Sequence, residues 1–416
     1  MGDFTLQRNR RALEKYAAIK RQIEGLSSLR HVVQLPPESD ISDAQWRAVE
    51  QKLKDSEGKF LTLLNAGSRE LWSQGAKQYS ADSNALFADI QVQLPKAYAF
   101  FDTYLDVLSQ RYMPEIGRML RGCDILALDA IQRDHPALKI IVPPLVYLDR
   151  GFGASTIREG VNMPDKTPNP LPLIQIPYSK LFDKCNLTSI LHEAGHEVMV
   201  RLGLKELLPV VVGKALAMAG APKEIRNYFG LWMSEIGPDF WTFCNAGLAA
   251  AGGIREILAL PQGMVFHISW SDPHPPPYLR VLLNFEWCRQ VWGKGMWDNW
   301  EREWEQCYPL EKSSAENRDS LMKMKYYLPV VSRALLNTRF KTLNGQTVTE
   351  LFDMKLLAPA KIEAVVNQLK NGGLILKGLR PCAHLAVFRL IKEKGLLNDL
   401  QLDKLMDKWL INLKNN

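Results

Sequence analysis

Apolar residues recur at helical spacing towards both ends of the chain, and this repeat restricts the possible folds more than any other feature. It covers residues 4–29, 43–74 and 96–128, and it returns from Arg302 to the C-terminal stretch 400–413. Apolar side chains three and four positions apart line one face of a helix, which can then be buried against other elements. The chain is therefore expected to be mainly α-helical.

Three short apolar runs interrupt this helical pattern in the middle of the chain. Residues 138–142 and 145–148 are separated by two prolines, and a third run, 171–177, has prolines at its flanks. These runs predict short strands, and flanking prolines favour an edge position for the third. The Gly- and Pro-rich residues 149–170 predict a loop. The expected fold class is mainly α with a small mixed β-sheet (α+β).

Charge and cysteine usage narrow the class of protein further. Fifty-two basic and 45 acidic residues give a net charge of +7, and Glu14 and Glu24 interrupt the basic residues of the N-terminal segment. A solvated helix face is favoured over a nucleic-acid contact, so no nucleic-acid partner is expected.

The six cysteines never form C-x-x-C, and the first residues carry no apolar signal run. A reducing, cytoplasmic location is the expectation.

Two strongly apolar stretches, 207–222 and 240–254, raise the question of a membrane span. Both are shorter than the ~18 to 20 apolar residues that cross a bilayer. They are expected to be buried helices, so no integral membrane segment is predicted.

Five tryptophans recur at spacings of three to five residues, which is typical of the buried stripe of helices. Core packing is the prediction, with a stacking platform for sugars or bases as the alternative. These residues are Trp287, Trp292, Trp297, Trp300 and Trp304.

His192-Glu193-Ala194-Gly195-His196 is an H-E-x-x-H pattern. On a helix, residues four apart share a face, so both imidazoles can bind one zinc ion while Glu193 reaches the water that zinc activates. Asn186 is the expected helix cap. The pattern arises by chance in about one such chain in a hundred, so a third ligand is needed to support it. The predicted buried face of this helix consists of Leu187, Ile190, Leu191, Ala194 and Val198.

Glu235 is the best candidate for that third ligand. Its neighbours are apolar, and an unpaired charge among them would be costly. Asp239, one helical turn further on, is placed to accept the N–H of a zinc-bound histidine. An acidic pair on a solvated helix face is the alternative. Glu197 and Glu206 compete less well, because the first points away from the histidine face and the second belongs to a charged Lys-Glu step.

A proline-rich segment supplies a further candidate, His274. Three consecutive prolines follow closely and hold the chain extended, so the histidine can be presented rigidly, with Arg280 starting the next helix. A histidine in a proline-rich surface turn is an equal alternative from the residues alone. The other histidines lack ligand spacing and are expected to be structural or exposed: His31, His135, His267 and His384.

Together these elements resemble the gluzincin zinc peptidases, and most closely the group of HtpX and the CAAX prenyl endopeptidases. In that group H-E-x-x-H is followed by E-x-x-x-D and then by His-Pro with an arginine six positions after the histidine. The resemblance covers residues 171–283. It implies that zinc is bound by His192, His196 and Glu235, that Glu193 is the general base, that Asp239 supports a ligand histidine, and that His274 and Arg280 line the site.

Two departures from the group affect what the resemblance implies. Its membrane-spanning helices are not evident in this sequence, so a lipidated or membrane substrate is not expected. Pro238 stands where the group favours alanine, which places Glu235 at an expected helix junction.

The resulting hypothesis is a zinc metallopeptidase, a hydrolase acting on a protein or peptide substrate. A zincin-like catalytic region, 96–300, would lie between helical regions 1–95 and 301–416. The strand within 173–176 would hold the substrate backbone by strand addition. Two alternatives remain at this point. The first is a helical scaffold that is catalytically inactive or holds a structural zinc, and the second is a hydrolase that acts on non-peptide amides. The oligomeric state is not predicted.

Overall fold

The amphipathic repeats form long helices, and the described residues of the computed structural model are mainly helical. The structure describes residues 2–73, 81–139, 141–151, 153–163, 166–269, 271–369, 376 and 378–413. Besides its helices, this part of the chain contains a three-stranded sheet. The predicted class, mainly α with a small mixed β-sheet, is confirmed.

The chain folds as two compact units. Unit 1 comprises Met1–Arg121, Val142–Leu148 and Ile157–Leu173, and unit 2 comprises Gly122–Ile141, Asp149–Thr156 and Ile174–Asn416. The two predicted region boundaries, after residues 95 and 300, fall inside the helices Ala81–Ser109 and Met296–Cys307.

Unit 1 is built around helices, as the N-terminal repeats predicted. They are α1 (Gly2–Gly25), α2 (Leu29–Val32), α3 (Asp43–Ser73) and α4 (Ala81–Ser109). The helical stretch predicted at 96–128 is divided, because α4 ends at Ser109 and the next α-helix begins at Pro114. Large aromatic side chains fill its core, among them Trp46, Phe100 and Tyr104. The buried Tyr104 hydroxyl donates to Asn169 Oδ1 at 2.9 Å, so its polar end is satisfied.

The sheet has strands β1 (Leu145–Leu148), β2 (Ser155–Ile157) and β3 (Leu173–Ile176), in the order β1-β3-β2. Two of the three predicted strands are therefore confirmed. The predicted edge position of β3 is wrong, because it is the central strand. Pro172 lies just before β3, and its carbonyl still accepts from the Leu145 N–H at 2.9 Å. Strand addition of a substrate along β3 is ruled out, since both of its sides are already paired.

The strand predicted at 138–142 is wrong. The chain there forms α6 (Pro136–Lys139), which follows α5 (Pro114–Ile131). Pro136 occupies the first helical position, where its fixed φ favours a helix and its missing N–H costs no bond. Ile140 lies outside the described residues.

Unit 2 is organised around one long helix, α9, which packs against α7, α8, α10, α12 and α16. Every residue from 235 to 246 of α9 is buried. The helices that follow α6 are α7 (Thr188–Arg201), α8 (Leu204–Met218), α9 (Lys223–Ala246), α10 (Leu248–Ile257), α11 (Gln262–Val265), α12 (Pro277–Trp292), α13 (Met296–Cys307), α14 (Ala315–Asn337), α15 (Pro359–Leu369), α16 (Pro381–Glu393) and α17 (Asp399–Ile411).

The tryptophan stripe and the apolar stretches contribute to this packing. Trp287, Trp297, Trp300 and Trp304 are buried, so their predicted place in the core is confirmed. Trp292 is half-buried, with its ring centroid 5.3 Å from that of Phe243. Among the described residues, no helix combines the length and the apolar character that a membrane crossing requires.

A buried ion cluster links α10 to α16. The side chain of Arg389 has no exposed surface, and its Nη1 lies 2.6 Å from Glu256 Oε1. Lys392 Nζ lies 3.0 Å from the same carboxylate. Burial alone would raise the pKa of Glu256, but the two cations outweigh burial and lower it to about 2. The pairing is what makes the burial of Arg389 tolerable.

Glu256→Gln is expected to lower the free energy of unfolding by about 3 kcal/mol at pH 7, because it removes the nearer of the two carboxylates that pair with Arg389. The pKa of Glu256 is lower in the folded chain than its ordinary value of 4.5. Its contribution is therefore complete above pH 4.5 and is lost as the pH falls towards 2. Urea unfolding from about pH 6 to about pH 3 should show the difference from wild type shrinking.

Glu303→Gln is the matched control. It removes a partner of Arg255 that is 65% exposed, and it should change the free energy of unfolding by less than about 0.5 kcal/mol. A Glu256→Gln effect that stays constant across this pH range would contradict the linkage.

Candidate metal centre

Helix α7 carries the H-E-x-x-H residues, and its buried face is the one predicted. Leu187, Ile190, Leu191, Ala194 and Val198 are all buried. With this face of α7 buried, the side chains of His192 and His196 point to the same side of the helix. Their ring centroids lie 4.9 Å apart. The histidines are only partly exposed, so their ring nitrogens lie in a largely desolvated place.

The start of α7 differs from the prediction. Asn186 does not cap the helix, because α7 begins at Thr188 after a short 3₁₀ turn, Lys184–Asn186. The Asn186 side chain instead donates to Asp183 and accepts from Arg389 Nη2 at 3.0 Å. Its amide is therefore committed to the ion cluster, and the predicted cap is wrong.

Helix α9 brings Glu235 and Asp239 to the histidines. It runs unbroken through Pro238, so the expected helix junction at Glu235 is wrong. The backbone bond that a proline removes is the one to the carbonyl four residues earlier, at Ser234, which is partly exposed to water. That carbonyl can be satisfied by solvent, and the helix continues.

The two helices touch backbone to backbone between these residues. A Cβ atom added to Gly195 would lie 2.9 Å from Pro238 Cα and 3.3 Å from its carbonyl oxygen. Gly195 lies between Glu193 and His196 on α7, and Pro238 lies between Glu235 and Asp239 on α9. The close contact therefore sets how near the carboxylates come to the imidazoles.

The resulting distances fit a shared ion. His192 Nε2 lies 3.2 Å from Glu235 Oε2, and His196 Nε2 lies 3.7 Å from Glu235 Oε1. Ligand atoms on one tetrahedral zinc, at bond lengths of about 2.0 to 2.2 Å, lie about 3.3 to 3.5 Å apart. The ligand atoms of His192, Glu193 and His196 also lie within 4.8 Å of one another, so this group can hold a metal ion.

Asp239 and Arg280 both contact the ring of His192. His192 Nδ1 lies 2.8 Å from Asp239 Oδ1, and Arg280 Nη2 donates to the same oxygen at 2.8 Å. A carboxylate partner keeps the hydrogen on Nδ1, which leaves Nε2 as the nitrogen that can bind an ion. Arg280 lies on α12 with a nearly buried side chain, and its Nη2 is 3.7 Å from Glu235 Oε2.

The charges of the site favour an added cation. Glu193, Glu235 and Asp239 are buried carboxylates, and Arg280 is the guanidinium among them. Burial alone would lower the pKa of His192, but the Asp239 carboxylate outweighs burial and raises it to about 9. The raised pKa shows that the surrounding field stabilises positive charge at this imidazole.

The remaining pKa shifts follow from burial and from these neighbours. Burial, together with the adjacent His192, lowers the pKa of His196 to about 4. Burial raises the pKa of Glu193 above its ordinary value. Burial acts in the same direction on Glu235, yet its contacts with His192 and Arg280 lower its pKa on balance. The lowered pKa leaves His196 neutral near pH 7.

His274 comes to the same place from the segment before α12. Its Nε2 lies 3.7 Å from Glu235 Oε2, and its side chain is 57% exposed. The structure thus brings together every residue that the sequence singled out for the site: His192, Glu193, His196, Glu235, Asp239, His274 and Arg280. Their individual roles remain predictions.

The less favoured candidates have other surroundings. The Glu197 carboxylate pairs with Arg201 Nε at 2.6 Å, and Glu206 is exposed on α8. His135 and His384 are buried with ring nitrogens near backbone carbonyls, whereas His31 and His267 are exposed. The expectation for these four histidines is confirmed.

Sequence reasoning missed two residues that shape the site. Gly195 is an x position of the motif and carried no signal by itself. Asp272 was readable in principle, because an aspartate two positions before a histidine, with proline between them, is a common local hydrogen-bonding arrangement. Asp272 Oδ1 lies 2.7 Å from His274 Nδ1.

Comparison of the chain with protein-family models, with curated proteins and with solved structures found no match. The resemblance to gluzincins therefore depends on the sequence motifs alone.

Gly195→Ala is expected to push α7 and α9 apart, because the new methyl group would meet backbone atoms of Pro238 that cannot rotate away. We expect zinc affinity to fall about 10- to 100-fold and the free energy of unfolding to fall by about 1 to 3 kcal/mol. Competition with a zinc indicator and urea unfolding would measure the two effects.

Gly230→Ala is the control, since a Cβ at this position of α9 meets nothing within 4 Å. It should leave zinc affinity unchanged and raise the free energy of unfolding by about 0.5 to 1 kcal/mol. Equal zinc affinities for the Gly195 and Gly230 variants would show that the helix contact does not set the site.

Proposed function

We propose that this protein is a zinc-dependent metallopeptidase in which Glu193 acts as the general base. The observation that carries the proposal is the convergence of His192 Nε2 and His196 Nε2 on the two oxygens of Glu235, at 3.2 and 3.7 Å. A buried glutamate, Glu193, stands beside them on the same helix.

The donor set suits zinc. Two imidazole nitrogens and one carboxylate form a common ligand set of catalytic zinc sites, which keep a fourth position open. Hard cations such as Mg²⁺ prefer all-oxygen ligands, so the two histidines favour zinc over them. The charge of the site also favours a divalent cation. Arg280 carries one positive charge against the three carboxylates of the site, and a divalent cation would offset the remainder.

Zinc, when bound, supplies a Lewis acid that polarises a carbonyl and activates a water molecule. Glu193 takes a proton from the attacking water and passes it to the leaving amine. Its raised pKa brings the carboxylate closer to the range in which a general base works near neutral pH. Asp239 orients His192 through Nδ1, and Arg280 holds Asp239 in place.

His274 is the exposed member of the group, so it is placed to meet a substrate. Its side chain is 57% exposed, and its Nε2 lies 3.7 Å from Glu235 Oε2. We assign it to the substrate carbonyl, where a donor would stabilise developing negative charge. Arg280, which is nearly buried, acts on the site through Asp239 and Glu235.

A site with three protein ligands would favour a catalytic zinc over a structural one. Structural zinc is normally closed by four protein ligands, often including cysteine. None of the six cysteines, all of which the structure describes, lies in a disulfide, and five of them are buried. They suit a reducing compartment, and we place the enzyme in the cytoplasm with a protein or peptide substrate.

Four variants test the proposal. Purified wild type should carry close to one zinc per chain, His192→Ala should lose it, and Glu235→Ala should bind zinc more weakly, since each removes a ligand. Glu193→Gln should keep its zinc and lose hydrolysis of fluorescein-labelled casein by about 100-fold or more, since it removes the base. Glu206→Gln, an exposed carboxylate on α8, is the control and should match wild type.

The outcomes separate the proposal from its alternatives. Zinc without hydrolysis of casein or of a peptide library, together with unfolding on chelation, would indicate a structural-zinc scaffold. Hydrolysis of small amides but not of peptides would indicate a different amide substrate. A Glu193→Gln variant that binds zinc and cleaves as fast as wild type would contradict the mechanism.

A further inference from the structure

The C-terminal helix α17 contacts the short turn that leads into the metal-binding helix. This 3₁₀ turn, Lys184–Asn186, ends just before α7 begins. The side chain of Lys184 is 2% exposed, and its Nζ lies 2.7 Å from Asp403 Oδ1 and 2.8 Å from Asp407 Oδ1. Both aspartates lie on α17, four positions apart, so they share one face of it. One buried ammonium group thus joins α17 to the start of α7.

The other two residues of the turn have partners on the same pair of helices. Cys185 Sγ lies 3.7 Å from Met406 Sδ on α17, and both side chains are buried. Arg389 on α16 donates through Nη2 to the Cys185 carbonyl at 3.3 Å and to Asn186 Oδ1 at 3.0 Å. Each residue of the turn is therefore held by α16 or α17.

Helix α17 is itself fixed on α16. Trp409 Nε1 donates to His384 Nδ1 at 2.8 Å, and the Trp409 ring packs on Phe388 with the centroids 5.0 Å apart. Met406 and Leu410 are buried along the same helix. The aspartates that meet Lys184 are consequently presented by a packed helix.

The start of α7 depends on this support, because no side chain caps it. The first N–H groups of a helix have no partner inside the helix, and α7 begins at Thr188 without a side-chain cap. Asn186 could have supplied one, but its oxygen accepts from Arg389. Helices without such support open from their ends. His192 lies one helical turn from this end, so opening of the first turn would displace it.

Burial makes the ion pair an effective link. An ammonium group with so little exposed surface is poorly hydrated, so leaving it without a carboxylate would be strongly destabilising. Separation of α17 from the turn would do so, because Asp403 and Asp407 would move away together. The turn and α17 are therefore expected to move as one body.

We propose that Lys184 is a positioning residue, through which α17 fixes the first turn of α7 and thereby the place of His192. This inference rests on the proposed zinc site, and Lys184 acts on that site through the backbone of α7. Displacement of α17 would loosen the metal centre, so the C-terminal helix is a point from which the centre can be controlled.

The first test follows hydrogen exchange in the full chain without added metal. Replacing both carboxylates, by Asp403→Asn together with Asp407→Asn, leaves the ammonium group without its partners. We expect the amides of residues 190–195 to exchange about 10-fold faster, because the first turn of α7 opens more often. The amides of residues 235–246 in α9 should keep their rates. A general loss of stability would instead speed exchange in both segments.

The second test measures zinc affinity by competition with a zinc indicator. The double variant should bind zinc about 10-fold more weakly than wild type, because His192 is held less firmly. Either single substitution leaves Lys184 with one carboxylate and should cause a smaller loss.

Lys184→Ala probes the same link without leaving a buried charge. It frees Asp403 and Asp407, whose side chains are 35% and 30% exposed and can be hydrated. This variant keeps the proposal testable if the double variant does not fold. It should match the double variant in exchange and in zinc affinity, and adding the two asparagines to it should cause no further change.

Asp399→Asn is the matched control. It removes an exposed carboxylate from the first turn of the same helix. Zinc affinity and the exchange of residues 190–195 should both stay at their wild-type values.

Two results would overturn the proposal. The first is exchange of residues 190–195 that stays unchanged, or that rises equally with that of α9. The second is zinc affinity that neither the double variant nor Lys184→Ala lowers. If wild type binds no zinc, the proposed function fails, and the exchange of residues 190–195 then decides the positioning role alone.

Discussion

The contact between Gly195 and Pro238 is the constraint on which the metal centre depends. It allows two helices to approach until their backbones touch, and each contact residue stands between two residues of the site. Distances of 3.2 and 3.7 Å between imidazole and carboxylate follow from this spacing. A methyl group at the same place would move the donors away from the spacing that a tetrahedral ion prefers.

The helix contact also explains why so much charge can be buried here. Glu235 and Asp239 lie on the most enclosed stretch of α9, where an isolated carboxylate would be severely destabilising. Arg280 from α12 and His192 from α7 compensate them. Three helices thus contribute opposite charges to one small volume, and each helix is held by the charge of the others. The same logic recurs at Arg389, where α10 and α16 are joined through Glu256.

Much of this arrangement was predictable from the sequence, because it depends on local spacing. The interval between His192 and His196 fixes a shared helix face, and the interval between Glu235 and Asp239 does the same on α9. Long helices at the two ends followed from their apolar repeats. The seven site residues were all named from spacing and from a resemblance, and the structure places them together.

What the sequence did not reveal depends on the tertiary environment. Proline at 172 and 177 indicated an edge strand, yet both residues fall outside β3, which is central. Asn186 has the right identity for a cap, but Arg389, some 200 positions away, competes for its side chain. Pro238 would end an exposed helix, and here the surrounding helices support α9 on both sides of it.

The enclosure of α9 has a consequence for how the centre forms. A helix packed on five others opens only when most of unit 2 opens, so Glu235 and Asp239 belong to a stretch of high local stability. Small zinc modules gather their ligands only when the ion arrives, and they pay the ordering entropy at that moment. In this protein, the residues of the site become ordered when the chain folds, before any ion binds. A bound ion would therefore leave and return without the protein losing its structure, and the occupancy of the site, at constant affinity, would follow the supply of metal.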